Sequence, residues 1–187
     1  MKTLFIALAS LFLSSQLAAA TSSLVLDKEH SQIEVAVKAT MDSFTAKLSA
    51  YDATIAADPD AKRIDSAQVK FRFNDVKTGK DKRDVEMHHW QQTEQFPDCV
   101  YVMESLKPTS DNTYMATGKF TLHGITKDIS FPVTIRFQAD GSCKLDSEFT
   151  LNTQDHGLPV FKKFGMLKVA PLLKIKFHLE GRLAAGA

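Results

Sequence analysis

The chain has 187 residues, with 23 Lys or Arg against 22 Asp or Glu and a formal net charge of +1. So even a balance implies neither a nucleic-acid footprint nor a patch for an anionic membrane, and the interleaving of apolar and charged residues argues against disorder. Two cysteines, Cys99 and Cys143, show no C-x-x-C spacing, which excludes thioredoxin-type chemistry and leaves either a disulfide or two buried small hydrophobes.

Residues 1–20 read as a secretory signal peptide. Lys2 supplies the positive start, residues 4–13 are apolar apart from Ser10, and Ala18-Ala19-Ala20 fit an A-x-A cleavage site before Thr21. The apolar run is about ten residues, half of the roughly twenty that a spanning helix needs. No Cys follows the cleavage site to take a lipid anchor. This expectation gives one mature domain, 21–187, in the periplasm.

Within that domain, period-two alternation dominates. Ile33, Val35 and Val37 alternate with Glu34 and Lys38, and a weaker strand follows at 44–55. Asp58-Pro59-Asp60 marks a turn, after which Val69, Phe71 and Phe73 alternate with Lys70, Arg72 and Asn74. Residues 81–96 break the pattern. They place Val85, His89 and Phe96 at loosely helical spacing and stop before Pro97, which predicts a short connecting helix that contains Trp90. Weaker strands follow at 100–106 and 114–122, separated by a turn signal at 108–112. The clearest strand carries Ile129, Phe131, Val133, Ile135 and Phe137 on one phase, with Pro132 on the other marking an edge, end or bulge. Asp140-Gly141 signals a hairpin into Leu145, Phe149 and Leu151, and Leu173, Ile175, Phe177 and Leu179 form the last strand.

The sum is an all-β domain of about eight antiparallel strands and one helix, better suited to a barrel than to an immunoglobulin-like sandwich, since no Cys…Trp…Cys arrangement exists. An eight-stranded barrel either packs solid or holds one small ligand. The inward set, Val35, Val37, Val69, Phe71, Phe73, Phe131, Val133, Ile135, Phe149, Ile175 and Phe177, is apolar enough to accept a hydrocarbon chain or to fill a dry core.

Several stretches resemble the YceI-like family of periplasmic proteins. His30-Ser31-x-Ile33 opens the first strand in the family manner, and Lys82-Arg83-Asp84 resembles its Arg-Asp pair at the helix head. Phe96-Pro97 precedes a strand as in that family. The most specific piece is Gly118-Lys119-Phe120-Thr121-Leu122-His123-Gly124-Ile125-Thr126-Lys127, similar to G-x-L-T-L-H-G-V-T-K, and Asn152-x-x-Asp155-x-Gly157-Leu158 resembles a further element. The resemblance implies an extended eight-stranded antiparallel lipocalin-like barrel holding a polyisoprenoid-type lipid or prenylated quinone, with no catalytic role and no other cofactor. Departures from the pattern are Ala39 for His, Thr153 for Arg, His156 for Phe, the segment Met87-His88-His89-Trp90, and an apolar, basic stretch at 161–171.

Other chemistry finds little support. No G-x-S-x-G elbow and no carboxylate pair in an apolar setting points to an enzyme. His88 and His89 are adjacent, so on a helix they diverge by about 100°, and no H-E-x-x-H spacing suggests a metal. Arg83-Asp84 reads equally as a helix-start pair or as a site where Arg83 meets a lipid head group, with Lys127 a second candidate at the mouth. His123-Gly124 reads as a tight turn. The partner classes are thus an isoprenoid-type lipid, a membrane cytochrome if that lipid is a quinone, and a second copy of the chain in a homodimer. The rival reading is a packed barrel that acts through its surface.

Overall fold

Alternating side chains and short turns give eight strands, each hydrogen-bonded antiparallel to the next, in a computed structural model that describes residues 22–40, 42–58 and 60–184. The expected leader and its cleavage site lie outside the described residues. The strands are β1 (Ser22–Leu26, resumed at Gln32–Val37), β2 (Phe44–Leu48, resumed at Asp52–Asp58) and β3 (Arg63–Arg72, resumed at Val76–Lys77 after a 3-10 turn at Phe73–Asp75). Helix α1 (Asp81–Gln91) leads into β4 (Asp98–Ser110), β5 (Thr113–Leu122), β6 (Ile125–Phe137), β7 (Ser142–Asn152) and β8 (Leu172–Leu183). The last strand returns to the first, with Phe177 opposite Ile33 and Leu183 opposite Leu24, and the sheet closes into an antiparallel barrel. Closure removes the free sheet edges that would otherwise invite association.

The breaks in β1 and β2 have local causes. At 27–31 the chain leaves the ladder, and Ser31 bridges the gap: its hydroxyl donates to the Glu180 carbonyl at 3.2 Å and accepts the Glu180 N–H at 3.0 Å. The predicted strand at 44–55 is interrupted at 49–51, where the Ser49 N–H donates to the Asp75 carbonyl at 2.8 Å and Tyr51 is buried. At both breaks the strand bends around the barrel, and the Asp27 N–H, donating to the Glu180 carbonyl at 2.8 Å, and the Ser49 N–H keep backbone partners.

The helix is shorter than the predicted 81–96. It ends at Gln91 because Gln92 takes a left-handed conformation, φ 56°, and its N–H caps the carbonyls of His88 and His89. Val85 faces solvent, 67% exposed, contrary to the spacing that grouped it with His89 and Phe96. The face turned to the barrel is instead Arg83, Glu86, Met87 and Trp90, an i, i+3, i+4, i+7 set of mixed polarity that an apolar count misses.

The prolines behave differently from each other. Pro108 lies inside β4, which runs to Ser110 rather than ending in a turn. The ladder with β3 ends at Val102, so a residue without an N–H is tolerated beyond it. Pro132 marks a ladder end, as its outward phase suggests. The ladder between β6 and β7 spans 134–137 and 143–146, and just past it the Ser147 hydroxyl donates to the Pro132 carbonyl at 2.5 Å.

Turn chemistry follows the sequence signals. Gly141 has φ 79° and the Asp140 carboxylate accepts the Ser142 N–H at 3.0 Å. His123 and Gly124, φ 52° and 69°, form the two-residue turn between β5 and β6. Cys99 and Cys143 are both free and fully buried, so of the two options the thiols take the role of small hydrophobes. Two apolar clusters line the interior, one around Ile55, Ile135 and Leu179, and a smaller one around Phe73, Cys99, Leu122, Leu151 and Leu158 near the helix.

Candidate functional site

The inward phases of the strands do not pack solid. They leave two adjoining cavities, of about 170 Å³ in the barrel and about 370 Å³ toward the helix. Val35, Phe71, Val76, Phe120, Leu151 and Ile175 border both and form the waist between them. All eleven inward residues singled out in the sequence line this space. Val69, Phe131, Val133, Ile135, Phe149 and Phe177 wall the deep part, Val37 and Phe73 the outer part, and Val35, Phe71 and Ile175 both. Aromatic rings give the deep wall its stiffness: Phe131 stacks on Phe149 at 4.4 Å between centroids and meets Phe177 edge-on at 6.0 Å.

The outer cavity has walls that alternation alone did not reveal. Met87 and Trp90 come from α1, and Leu158, Phe161, Leu167 and Val169 from the segment between β7 and β8. The Trp90 indole N–H donates to the Pro159 carbonyl at 2.8 Å and ties that segment to the helix, and Lys163 pairs with Glu86 on the same helix. The other margin is sewn to the end of β1, where the Ala170 N–H donates to the Lys38 carbonyl at 2.8 Å. A signal for these residues was present in the apolar, basic composition of 161–171, but that stretch has no strand or helix periodicity to give it a direction.

Polar atoms are few and unevenly placed. Arg83 borders the outer cavity, with its guanidinium 3.9 Å over the Phe44 ring and Nη2 3.7 Å from the Asp42 carboxylate. Its Nη1 is buried with no hydrogen-bond partner. Asp84, the other half of the pair, accepts the Thr78 N–H at 2.9 Å and the Thr78 hydroxyl at 2.5 Å, which fixes the approach to the helix. Lys127 does not join Arg83: it is exposed near the start of β6 and borders neither cavity. Among the described residues the one polar side chain of the deep cavity is Tyr101, whose hydroxyl is buried without a partner. Burial, assisted by the Glu104 charge, pushes that phenol up to about 12.

The motif residues between the mouth and the strands are structural. His123 places its ring edge-on to Phe96 at 4.5 Å and its Nδ1 3.2 Å from the His156 carbonyl. His156 is buried, with Nδ1 2.9 Å from the Ile125 carbonyl and its ring edge-on to Phe120 at 5.5 Å. Asn152 caps the following 3-10 turn, Thr153–His156, by accepting the Gln154 N–H. Among the described residues no three His, Cys, Asp or Glu side chains come together in a group able to hold a metal ion.

Comparison with known proteins gives a consistent picture. The YceI-like domain model matches residues 24–181. Two UPF0312 proteins, from two strains of Pseudomonas putida, are each 34% identical over 70 residues, 34% of this chain and 35% of theirs. The chain thus spans about a third of the length of these curated relatives in the match. Among solved structures, BcnA from Burkholderia cenocepacia superposes with a TM-score of 0.73 at 22% identity, over 84% of this chain and 99% of that one. A polyisoprenoid binding domain from Saccharophagus degradans gives 0.67 at 16% identity, over 89% and 100%. The Campylobacter jejuni YCEI protein gives 0.67 at 16%, over 78% and 88%. At these identities the likeness establishes a shared fold.

Proposed function

The chain belongs to the YceI-like family, and from that premise we propose that it is a non-catalytic periplasmic carrier that buries the tail of a polyisoprenoid or prenylated quinone in its barrel. The observation that carries the reading is the pair of adjoining apolar cavities, together in the size range of small-molecule sites, roughly 300–1,000 Å³. A packed barrel acting through its surface would fill that space with side chains. The polyisoprenoid-binding character of the Saccharophagus degradans domain supports the choice of ligand class.

In this reading the tail enters past α1, passes the waist at Phe71, Phe120 and Ile175, and ends among Phe131, Phe149 and Phe177. Each 100 Å² of buried tail surface contributes about 2.5 kcal/mol, with no need for directional bonds. The head group stays near Arg83, whose unpaired Nη1 donates to a carbonyl, hydroxyl or phosphate oxygen. A quinone head would make a membrane cytochrome the natural acceptor. The signal peptide read at 1–20 delivers the chain to the compartment where such a carrier is needed.

Mass spectrometry of an organic extract from protein purified without detergent tests the proposal. A stoichiometric prenyl species supports it, and absorbance of the extract distinguishes a quinone from a polyprenol. Protein that stays lipid-free after incubation with both lipid classes refutes it.

A further inference from the structure

We propose that the hairpin joining β7 to β8 docks the mouth of the barrel onto an anionic lipid bilayer. A two-residue ladder, Lys162–Lys163 with Leu167–Lys168, carries a three-residue tip of Phe164, Gly165 and Met166. Phe164 is 84% exposed and Met166 73%, the two most exposed large hydrophobic side chains among the described residues. Phe164 has φ 51° and Gly165 φ 72°. A left-handed backbone is unfavourable for a bulky residue and ordinary for Asn or Gly. The chain thus accepts local strain to hold an aromatic ring out in solvent, and such strain clusters at functional sites.

The tip stands on a fixed base. The Thr40 N–H donates to the Lys168 carbonyl at 3.0 Å, the Thr40 hydroxyl donates to the Met166 carbonyl at 2.8 Å, and Lys163 is paired with Glu86. The opposite side of the hairpin borders the outer cavity through Phe161, Leu167 and Val169. One element therefore faces the ligand space on one side and offers an apolar point to the exterior on the other.

Charge selects the partner. Residues 156–179 contain no acidic side chain, and the hairpin itself carries three lysines. Lys163 is neutralised by Glu86, whereas Lys162 and Lys168 are exposed and make no ion pair among the described residues. The near-zero net charge of the whole chain conceals this local excess. A stable protein interface needs about 800 Å² from each partner, far more than three tip residues offer. A Phe and a Met that enter the headgroup region between lysines are instead the chemistry of a peripheral attachment to anionic lipid. Its use in loading the cavity rests on the lipid-carrier reading; the docking itself does not.

The test is co-sedimentation of the exported chain, N-terminus verified by intact mass, with phosphatidylethanolamine vesicles containing phosphatidylglycerol and with phosphatidylcholine vesicles. Binding to the anionic vesicles that weakens with added salt is expected. Phe164→Asp should weaken it about tenfold, and the pair Lys162→Glu and Lys168→Glu by at least about fivefold per lysine with a flatter salt dependence. A circular dichroism spectrum and melting point shared with the parent chain show that the variants fold. Equal binding by parent and Phe164→Asp, or no vesicle binding by the parent, overturns the proposal. So does a Phe164-dependent dimer in solution without vesicles, which assigns the tip to a second copy. Prenyl lipid content measured on the same samples separates loss of docking from failure of the carrier reading.

Discussion

Arg83 lays its guanidinium 3.9 Å above the Phe44 ring while its Nη1 points to no acceptor, so the one cation bordering the outer cavity among the described residues is held in place and has a free donor. A buried charged donor without a partner is costly unless a ligand completes it. Arg83→Leu is therefore expected to weaken binding of a lipid with an oxygenated head by about tenfold or more, with little change for a pure hydrocarbon tail. Arg83→Lys should recover only part of the loss, because an ammonium neither stacks as well on Phe44 nor presents the same fork. Titration with prenol and with the corresponding hydrocarbon, compared across the three proteins, measures the difference.

Ile175 sits at the waist, where it borders both cavities, on a strand hydrogen-bonded from both sides by β7 and β1. Ile175→Lys should leave the barrel folded at reduced stability and abolish tail binding, since a charge at the waist is desolvated by any chain that passes it. Recovery of full-length lipid from the folded variant would contradict passage through the barrel interior.

Most of this architecture was legible because strand periodicity is a local property. The inward sets on β1, β3, β6, β7 and β8 fell on one phase, and all eleven chosen residues border the cavities. The helix face was not legible in the same way: Arg83, Glu86 and Trp90 turn inward for reasons of hydrogen bonding and ion pairing, while the apolar Val85 turns outward. The segment 158–171 owes its position to tertiary bonds with Trp90, Lys38 and Thr40, which no window of sequence contains. Lys127 was misplaced because a motif match conveys its strand but not its distance from the mouth.

Trp90 is the only tryptophan of the chain and borders the outer cavity. Ligand entry should therefore shift its emission to shorter wavelength as water leaves the ring's surroundings. Trp90→Phe removes the indole N–H that holds the Pro159 carbonyl, so the segment over the mouth is freed on one side. Lipid exchange between loaded and empty protein should become faster, at a stability cost of about 1 kcal/mol. Stopped-flow transfer of a fluorescent prenyl analogue reads the rate, and an unchanged rate would show that the segment does not gate entry.

Gly118 has a packing reason to be glycine rather than a conformational one. A Cβ there would lie 2.2 Å from the Val102 carbonyl oxygen and 2.9 Å from the Tyr101 ring, beside the bulge between Met103 and Ser105. Gly118→Ala must push β4 away from β5 and should cost about 3 kcal/mol. Gly141→Asn is the contrast: the turn has φ 79° with open space around it, and Asn tolerates that backbone, so the cost should stay below about 1 kcal/mol. Urea denaturation midpoints of the two variants test the ordering.

High pH should unfold this barrel from within. Burial raises the Cys99 thiol to about 12, with the Asp98 charge assisting, the Cys143 thiol to about 11, and the Tyr101 phenol to about 12. In the unfolded chain the thiols ionise near 9.0 and the phenol near 10.0. Over that interval only the unfolded state releases protons, so the stability held below pH 9 falls as pH rises toward the folded values. Denaturation midpoints should drop from about pH 9 up to about pH 12, the span between the unfolded and folded values, and Cys99→Ala should drop less steeply even though it starts from a lower stability. At neutral pH neither thiol should react with a chromogenic disulfide reagent until denaturant is added, after which both should. Reaction of either thiol in the folded protein would mean that water reaches the barrel wall at Cys99 or Cys143, and the alkaline loss would then be shallow.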